Sequence, residues 1–524
     1  MLKKNRFILL IFSVTALFCS VLFLNRQASE KNLYVPYNAH TFFMQAELND
    51  SLATDINSFW INDEVYFVVP YDMPNACTIT IIDENDFSFH DEEVFIDEIK
   101  SINDKPIHIV RSNLPVMYIS LDNSIYDDPF FALNRQESQK DEYYYGNMIL
   151  NSSGSIISSS DSNYRYVSQK SNSDSIYDIS LSRHGNASWD MCGKHSFNLK
   201  LSEKDSLLGL YNSKTYSLIG NGKDKTLLRN YIANELAKKL NCKYTVNMKY
   251  VTLYVDGYYR GVYLLTEKPK KVMEKAISKL GEGTFAINVM SIEKDYVIPF
   301  TTSNDEFLGN EDQSDGNGIS VGLILPEENR QSYEYYSDMV QSLFDEIGTG
   351  SFDNVDMESF INYYWVQELT KNYDAWYRSL YLVYNSDTDK WEAGTPWDFD
   401  MSWNYFDTVT SVDFYSPDGL IGSHGIYSDL YLNDDVKKAL QMTFKSNVRP
   451  ALKSIKKEIN STYNYIRNDA ILDYEYVNND RNIPICSEEY FDYVFGTSYD
   501  DAYNNFIEFF DARNKFLINM FTGK

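Results

Sequence analysis

Two aspartates stand at the two ends of a predicted β-hairpin. Asp374 follows the helical stretch 357–369, and Asp398 follows two strand-like runs at 379–384 and 391–394 that flank a polar turn. Because paired antiparallel strands lie about 5 Å apart, a hairpin brings its first and last residues together. The spacing therefore predicts two converging carboxylates, an arrangement that suits a hard divalent cation or a general base beside a metal.

The segment Pro396-Trp397-Asp398-Phe399-Asp400 also has a plainer interpretation. Asp-x-Asp after a tryptophan is typical of a turn with solvated carboxylates. Asp398 is the predicted metal ligand, and Asp400 is either an additional ligand or a structural turn former. The sequence leaves both interpretations of Asp400 open.

Length and composition bound the class of protein. The chain has 524 residues, of which 44% are hydrophobic and 23% charged, and this predicts a folded globular protein with room for two or three domains. A net charge of −28 argues against nucleic acid as the main partner, because phosphate neutralisation needs a basic face. An acidic protein can attract divalent cations, and much of its charge is simply a solvated surface. The five cysteines and six histidines show no zinc-ligand spacing.

The first 30 residues are predicted to be a signal peptide or membrane anchor. Lys3, Lys4 and Arg6 precede the uncharged stretch 7–24, whose length lies between that of a signal-peptide core and a membrane span. No clean cleavage pattern follows, although residues 26–29 offer a place for trimming. We therefore expect an anchored chain whose remainder lies outside the cytoplasm, with the membrane contacted through this segment only.

Two further regions follow the anchor. Residues 31–108 contain short runs rich in β-branched residues, such as 65–70 and 77–82, which predict a small all-β, sandwich-like domain. Residues 109–522 form the second domain, which is interrupted at about 151–175 by a stretch with 11 serines in 25 residues, typical of a flexible loop.

The second domain shows the clearest periodicity. Phe197, Leu199 and Leu201 share one face of a strand, and a helix follows with apolar residues at 228, 232, 236 and 240. The loop before that helix, 220–224, offers turn glycines and a capping aspartate. A hairpin then turns at Asp256-Gly257. With the later helical segments, this order predicts an α+β fold of two lobes separated by a cleft.

Several motifs in this domain resemble the spore-coat protein H (CotH) kinase family. The blocks appear in the family's order, cover about residues 110–410, and comprise 183–189, Lys194 with 197–201, 227–230, 255–267, 368–374 and 396–400. The resemblance implies a protein-kinase-like catalytic domain acting outside the cytoplasm. Such a kinase would transfer the γ-phosphate of ATP, with Mg²⁺ or Mn²⁺, to hydroxyl side chains of surface or secreted proteins. The alternative is a non-catalytic structural or adhesive surface protein that keeps the fold.

The resemblance also implies roles for the two aspartates. Protein kinases place a base aspartate, a hairpin and a metal-binding aspartate in this order. Asp374 would orient the acceptor hydroxyl and take its proton, and Asp398 would bind the cation. Protein kinases carry an Asn five residues after the base, whereas this chain has Ser379, which puts a second metal in doubt.

Nucleotide-binding residues are implied in the same way. Lys200 lies on the strand face opposite Phe197 and Leu199, and is the first candidate for the lysine that contacts phosphates. Lys194 is the second candidate, with a solvent-facing loop position as its plainer interpretation.

Three further positions complete the predicted nucleotide site. Arg183 with the Gly185-Asn186 turn would form a phosphate-covering loop, because glycine lets backbone N–H groups approach anions. Glu267 ends a strand that would lead to the adenine site. It either faces the nucleotide or pairs with Lys268 at the surface.

Overall fold

The fold is known from a computed structural model. The structure describes residues 41–48, 52–83, 88–96, 98–102, 104–122, 142–158, 165–169, 175–185, 194–289, 297–300, 319–326, 331–372, 379–404, 415–421, 433–477 and 494–523. The predicted anchor, Asn186 and Asp374 lie outside these residues. Within the described ranges, no helix combines the length and apolar character that crossing a bilayer requires.

The first strands form two four-stranded sheets. Their strand orders are β2-β1-β5-β6 and β3-β4-β8-β7. The bounds are β1 Thr41–Leu48, β2 Leu52–Asn57, β3 Phe59–Ile61, β4 Glu64–Val69, β5 Ala76–Asp83, β6 Ser88–Phe95, β7 Lys100–Ile102 and β8 Lys105–Arg111. The β-branched runs at 65–70 and 77–82 therefore lie in strands, as predicted, because such side chains fit a pleated surface.

A closed barrel of seven strands follows. Its order is β10-β13-β14-β15-β17-β16-β9. The bounds are β9 Val116–Leu121, β10 Tyr144–Asn151, β13 Ser175–His184, β14 Ser196–Asp205, β15 Ser213–Ile219, β16 Met248–Val255 and β17 Tyr258–Glu267. The ring closes where β9 pairs in parallel with β16, with Met117 opposite Leu253. Phe197, Leu199 and Leu201 are buried inside the barrel, as their alternation predicts.

Part of the predicted serine-rich loop is regular structure. Strands β11 (Gly154–Ser158) and β12 (Arg165–Gln169) pair antiparallel, with Ile156 opposite Val167. The loop prediction is therefore wrong for these two segments. Each segment carries β-branched or aromatic residues among the serines, and residues of those types favour strands.

The remaining elements are a five-stranded antiparallel sheet and helices. The sheet has the order β19-β20-β18-β21-β22, with bounds β18 Phe285–Val289, β19 Val297–Phe300, β20 Ile319–Leu325, β21 Leu380–Asn385 and β22 Lys390–Ala393. The helices are α1 Arg229–Lys239, α2 Pro269–Ile277, α3 Tyr333–Gly348, α4 Met357–Thr370, α5 Asp434–Thr443, α6 Arg449–Leu472 and α7 Tyr499–Thr522. A 3₁₀ turn (Leu207–Gly209) and two π-helical segments (Phe444–Val448 and Asp473–Val477) complete the described elements. The fold is α+β, as predicted.

The largest core joins helices α1, α3, α4, α6 and α7 to the five-stranded antiparallel sheet and to the outer face of the barrel. Leu228, Ile232, Leu236 and Leu240, which the helical period places on one face, are all buried in it. A second core joins the first two sheets to the barrel through Tyr254 and Tyr259. The Tyr254 hydroxyl accepts from the Val68 N–H at 3.0 Å and donates to the Val68 carbonyl at 2.9 Å.

Candidate functional site

The foot of the hairpin β21–β22 holds Asp398. Its Oδ2 accepts a hydrogen bond from the Ser379 hydroxyl at 3.2 Å, at the start of β21. The Asn372 amide, just after helix α4, donates to the Asp398 carbonyl at 3.2 Å. Asp374 lies outside the described residues, between Asn372 and Ser379 in the chain. Both flanks of the segment that carries Asp374 therefore contact Asp398.

Asp400 lies close to Asp398, and both side chains are partly exposed. Burial raises the pKa of Asp400 to about 7, the ammonium of Lys223 opposes this rise, and the Asp398 carboxylate adds to it. A hydrogen bond between the two carboxyls also favours the protonated form of Asp400. Two adjacent carboxyls of this kind share a proton or are neutralised by a cation.

The donor atoms of Asp398 and Asp400 suit a hard divalent cation. Carboxylate oxygens are the ligands that Mg²⁺ and Mn²⁺ prefer, and substrate phosphates usually supply further ligands. The described residues hold no cluster of three or more acidic, histidine or cysteine side chains that could hold a metal alone. A cation at Asp398 and Asp400 would therefore depend on additional oxygen donors from a bound substrate or water.

A buried polar loop, residues 220–230, docks onto the segment that follows Asp398. The Asn230 side-chain oxygen accepts from the Phe399 N–H at 2.8 Å, and its amide donates to Asn221 at 3.0 Å. Arg229 is fully buried, and its Nε donates to the Ser402 carbonyl at 2.7 Å. The loop and the 398–404 segment therefore form one rigid wall.

Asp224 and Arg229 hold the loop together from within. Arg229 forms an ion pair with Asp224, and the same carboxylate accepts from the backbone N–H groups of Thr226 at 3.0 Å and Arg229 at 2.9 Å. The predicted capping role of Asp224 is wrong in position, because the N-cap of α1 is Leu228, although the Asp224 carboxylate does accept from the first helical N–H, that of Arg229. Removal of either charge would leave the other buried and uncompensated.

Lys223 is the functional candidate that the sequence did not reveal. Its side chain is 5% exposed, its Nζ lies 3.2 Å from the Met401 sulfur, and its charge acts on Asp400. A lysine between two turn glycines and an aspartate normally points to solvent, so nothing local predicted its burial. Arg229 and Asn230 did carry a signal, because they belong to a motif block, but no role followed from it.

Lys200 and Lys194 lie in the opposite environments to those expected. Lys200 is exposed, and its Nζ lies 5.9 Å from the ring centre of Tyr143. Lys194 is 4% exposed, donates to the Val262 carbonyl at 2.6 Å and forms an ion pair with Asp473. The expected solvent-facing position of Lys194 is therefore wrong. Its partner lies 279 residues away, so no local pattern could indicate the pair.

Asp473 joins the barrel to the end of helix α6. Its Oδ2 also accepts from the Val262 N–H at 2.7 Å, and Gly261 has φ of +83°. A Cβ at Gly261 would overlap this oxygen, so both the close approach and the backbone conformation require glycine. Burial raises the pKa of Asp473 and lowers that of Lys194, and the contact between them offsets both effects.

The comparison with protein families fits this architecture. The model of the family described as CotH kinase protein matches residues 181–517, more than half of the chain. The chain belongs to the CotH kinase family. A search of curated proteins found no match to the sequence. The matched range contains the polar loop, the hairpin and Asp398, but starts within β13, so that β9 and β10 lie before it.

In this CotH kinase family chain, Glu267 is buried and links two backbone segments by hydrogen bonds. It is 4% exposed, and its two oxygens accept from the backbone N–H groups of Tyr211 at 2.7 Å and Asn247 at 2.8 Å. The alternative of a surface pair with Lys268 is wrong, because Glu267 is not at the surface. Those two hydrogen bonds tie strand β17 to the segments before β15 and β16.

Arg183 and Gly185 end strand β13 of this CotH kinase family chain. Arg183 lies opposite Phe197 in the ladder with β14, and Gly185 has φ of +91°. The Asn198 amide donates to the Arg183 carbonyl at 2.7 Å, and its oxygen accepts from the Lys268 ammonium, also at 2.7 Å. The structure thus brings Arg183 near Lys268 through Asn198. The nucleotide role predicted for Arg183 and Gly185 stays a prediction.

Proposed function

We propose that this chain is a two-lobed protein kinase that transfers the γ-phosphate of ATP to hydroxyl side chains of surface or secreted proteins. In this proposal the barrel with helix α1 forms one lobe, and the five-stranded antiparallel sheet with the remaining helices forms the other. One observation carries the proposal in a kinase family chain: Asp398 and Asp400 stand partly exposed beside the buried, lysine-bearing wall of residues 220–230.

Asp398 and Asp400 would hold the divalent cation in this proposal. When bound, Mg²⁺ or Mn²⁺ neutralises charge on the phosphates that it contacts. Asp398 is held by Ser379 and Asn372, so its carboxylate is already oriented before a ligand arrives. A site whose residues are held in place before reaction loses less free energy on reorganisation.

Asp374 would act on the acceptor, and Lys223 on the phosphates. The acceptor hydroxyl gives its proton to the Asp374 carboxylate while its oxygen forms the new bond to phosphorus, and the bond to the ADP oxygen breaks. Lys223 takes the role predicted for Lys200, because a desolvated ammonium acts more strongly on phosphate charge than an exposed one. Lys194 is already enclosed by Val262, Asp473 and the Tyr263 ring.

Paired substitutions at the two aspartates test the chemistry. We expect Asp398→Asn to abolish metal-dependent nucleotide binding, because it removes the charged ligand, while the protein stays folded. Asp374→Ala should bind Mg-ATP nearly as wild type does and phosphorylate nothing, since a general base acts mainly in the transition state. Calorimetry gives binding, and labelled ATP gives transfer to the chain itself or to casein. Unchanged Mg-ATP affinity in folded Asp398→Asn would refute the metal assignment.

The placement of the kinase is a further part of this proposal. Residues 1–30 would anchor the chain in the membrane, with a small β domain at 31–108 and the catalytic domain at 109–522 outside the cytoplasm. The basic residues before the apolar stretch support this orientation. Protease added to intact cells should degrade the chain. Protection of the catalytic domain would place it in the cytoplasm instead.

Ser379 favours a second candidate function, a surface protein that keeps the fold without turnover. The hydroxyl of Ser379 stands where protein kinases have an amide for a second metal, and it is engaged with Asp398. This candidate prevails if the wild-type protein binds Mg-ATP and Mn-ATP but transfers phosphate neither to itself nor to a surface extract.

A further inference from the structure

Basic charge is concentrated in one part of this acidic chain. Between Val436 and Lys457 the sequence has seven basic residues and no acidic one, although the whole chain has 47 basic and 75 acidic residues. This run covers α5, the π-helical segment and the start of α6, which form one continuous helical stretch. Six of the seven are exposed, namely Lys438, Lys445, Arg449, Lys453, Lys456 and Lys457. They form a basic face.

The basic face is poorly compensated within the described part of the chain. Lys456 pairs with Asp511 on helix α7 at 2.6 Å, and Lys438 pairs with Asp435 at 2.9 Å. Arg449, Lys453 and Lys457 have no ion pair with any described residue. They recur every fourth residue along α6, and like charges at that spacing destabilise a helix. The fold therefore keeps a repulsion that an acidic partner would relieve.

A groove runs along the same face between α6 and α7. Its volume is about 470 Å³, within the range of ordinary ligand pockets. Ile518 is the half-buried apolar residue of the lining, and Leu452 and Phe510 lie beneath it almost fully buried. Asn460 and Asn514 also line the groove, and the basic side chains from Arg449 to Lys457 line the α6 side. Arg449 and Lys457 are eight positions apart, which is about 12 Å along the helix.

We propose that this groove docks an acidic, amphipathic segment of a partner protein. Acidic side chains of the segment would meet the α6 lysines, and its apolar side chains would cover Ile518 and the aliphatic stems of Lys453 and Lys457. The apolar part of the lining favours a peptide over polyphosphate or lipid headgroups, because these polyanions offer nothing apolar to bury there. The net charge of −28 argues against nucleic acid. Docking of this kind does not depend on phosphate transfer.

A synthetic peptide tests the proposal with the full-length protein. The probe is a labelled 14-residue peptide with leucine on one helical face and glutamate on the other, and its control has the same composition in scrambled order. Without nucleotide or metal, we expect the amphipathic peptide to bind at least about tenfold more tightly than the scrambled one. Lys453→Glu with Lys457→Glu should weaken binding by about tenfold or more.

A matched control separates the groove from net charge. Lys204→Glu with Lys279→Glu changes the same charge at two exposed lysines outside the groove, and should alter affinity by less than about twofold. In the wild type, bound peptide should slow amide hydrogen exchange in residues 449–460. This second measurement needs no variant.

Four results would overturn the proposal. In the first, neither peptide binds, or both charge reversals weaken binding equally. In the second, polyphosphate or phosphatidylglycerol vesicles depend on Lys453 and Lys457 while the peptide does not, which makes the face a polyanion or membrane surface. In the third, the groove reversal converts a dimer to a monomer in sedimentation, which makes a second copy the occupant. In the fourth, exchange in residues 449–460 is unchanged by bound peptide. None of these measurements involves phosphate transfer, so they test the docking groove independently of the proposed kinase activity.

Discussion

Lys194 and Lys223 are both buried, and their surroundings differ. Lys194 and its partner Asp473 have side chains that are each 1% exposed, deep between the barrel and helix α6. Lys223 is almost as buried, but its neighbour Asp400 belongs to a partly exposed pair of carboxyls. Burial alone therefore does not mark a functional lysine. The informative feature is an acidic group next to it that a ligand from solvent can still reach.

The largest expected effect concerns stability at the first lysine. Lys194→Met leaves Asp473 buried without its cation, which should lower the free energy of unfolding by about 3–5 kcal/mol. Denaturant titration measures this loss, and the double variant with Asp473→Asn should recover part of it. If Lys194→Met has the wild-type free energy of unfolding but no longer binds nucleotide, Lys194 is the functional lysine rather than a structural one.

The second prediction concerns phosphate transfer at the other lysine. Lys223→Met should lower the rate of transfer about 100-fold, because removal of a preorganised charge near the reacting group typically slows a reaction by about that factor. Lys200→Met is the matched control and should leave transfer within about twofold, since Lys200 is exposed. Labelled ATP measures both variants. Equal losses, or the reverse ranking, would return the phosphate role to Lys200.

The third prediction concerns Gly261, which packs against Asp473, the partner of Lys194. Gly261→Ala should cost about 2 kcal/mol or more, because a left-handed alanine costs about 1–2 kcal/mol and its methyl group would also overlap Asp473. Gly209→Ala, with φ of +76° and nothing within 4 Å of the added Cβ, isolates the backbone cost alone. Thermal unfolding of the two variants gives the difference. Equal costs would mean that Asp473 moves away freely.

The smallest effect is a pH dependence at Asp400. Its pKa is about 7 in the folded protein against 3.8 as the ordinary value, so the folded state holds a proton that the unfolded state has lost. Stability should therefore fall as pH rises from about 4 to about 7, by about 1–2 kcal/mol, given the partial exposure. Asp400→Asn should lack this component when both proteins are titrated without divalent cations. Parallel pH profiles would show that Asp400 is already ionised.

Local patterns predicted the elements, and tertiary contacts decided the site. Alternation at Phe197, Leu199 and Leu201 and the helical period from Leu228 to Leu240 were sufficient, because each reports which face of its own element is buried. The same alternation placed Lys200 on the outer face of its strand correctly. The sequence could not show that the outer face is exposed there.

The missing information was long-range. Lys223 reads as a solvent-facing turn residue, and only the docking of Arg229 and Asn230 onto the 398–404 segment buries it. The parallel pairing of β9 with β16 that closes the barrel joins residues far apart in sequence and leaves no periodic trace in either strand. Contacts of this kind lie outside the reach of a pattern that spans ten or twenty residues.

The closure of the barrel also determines where a recombinant fragment must begin if it is to fold. A recombinant fragment that starts at residue 181, where the family match begins, would lack β9, β10 and most of β13. Strand β16 would lose its parallel neighbour β9, and the remaining piece of β13 would lose its partner β10, which leaves two open edges able to pair with other molecules. Such a fragment should aggregate on refolding, whereas one that begins before Val116 retains every strand of the ring.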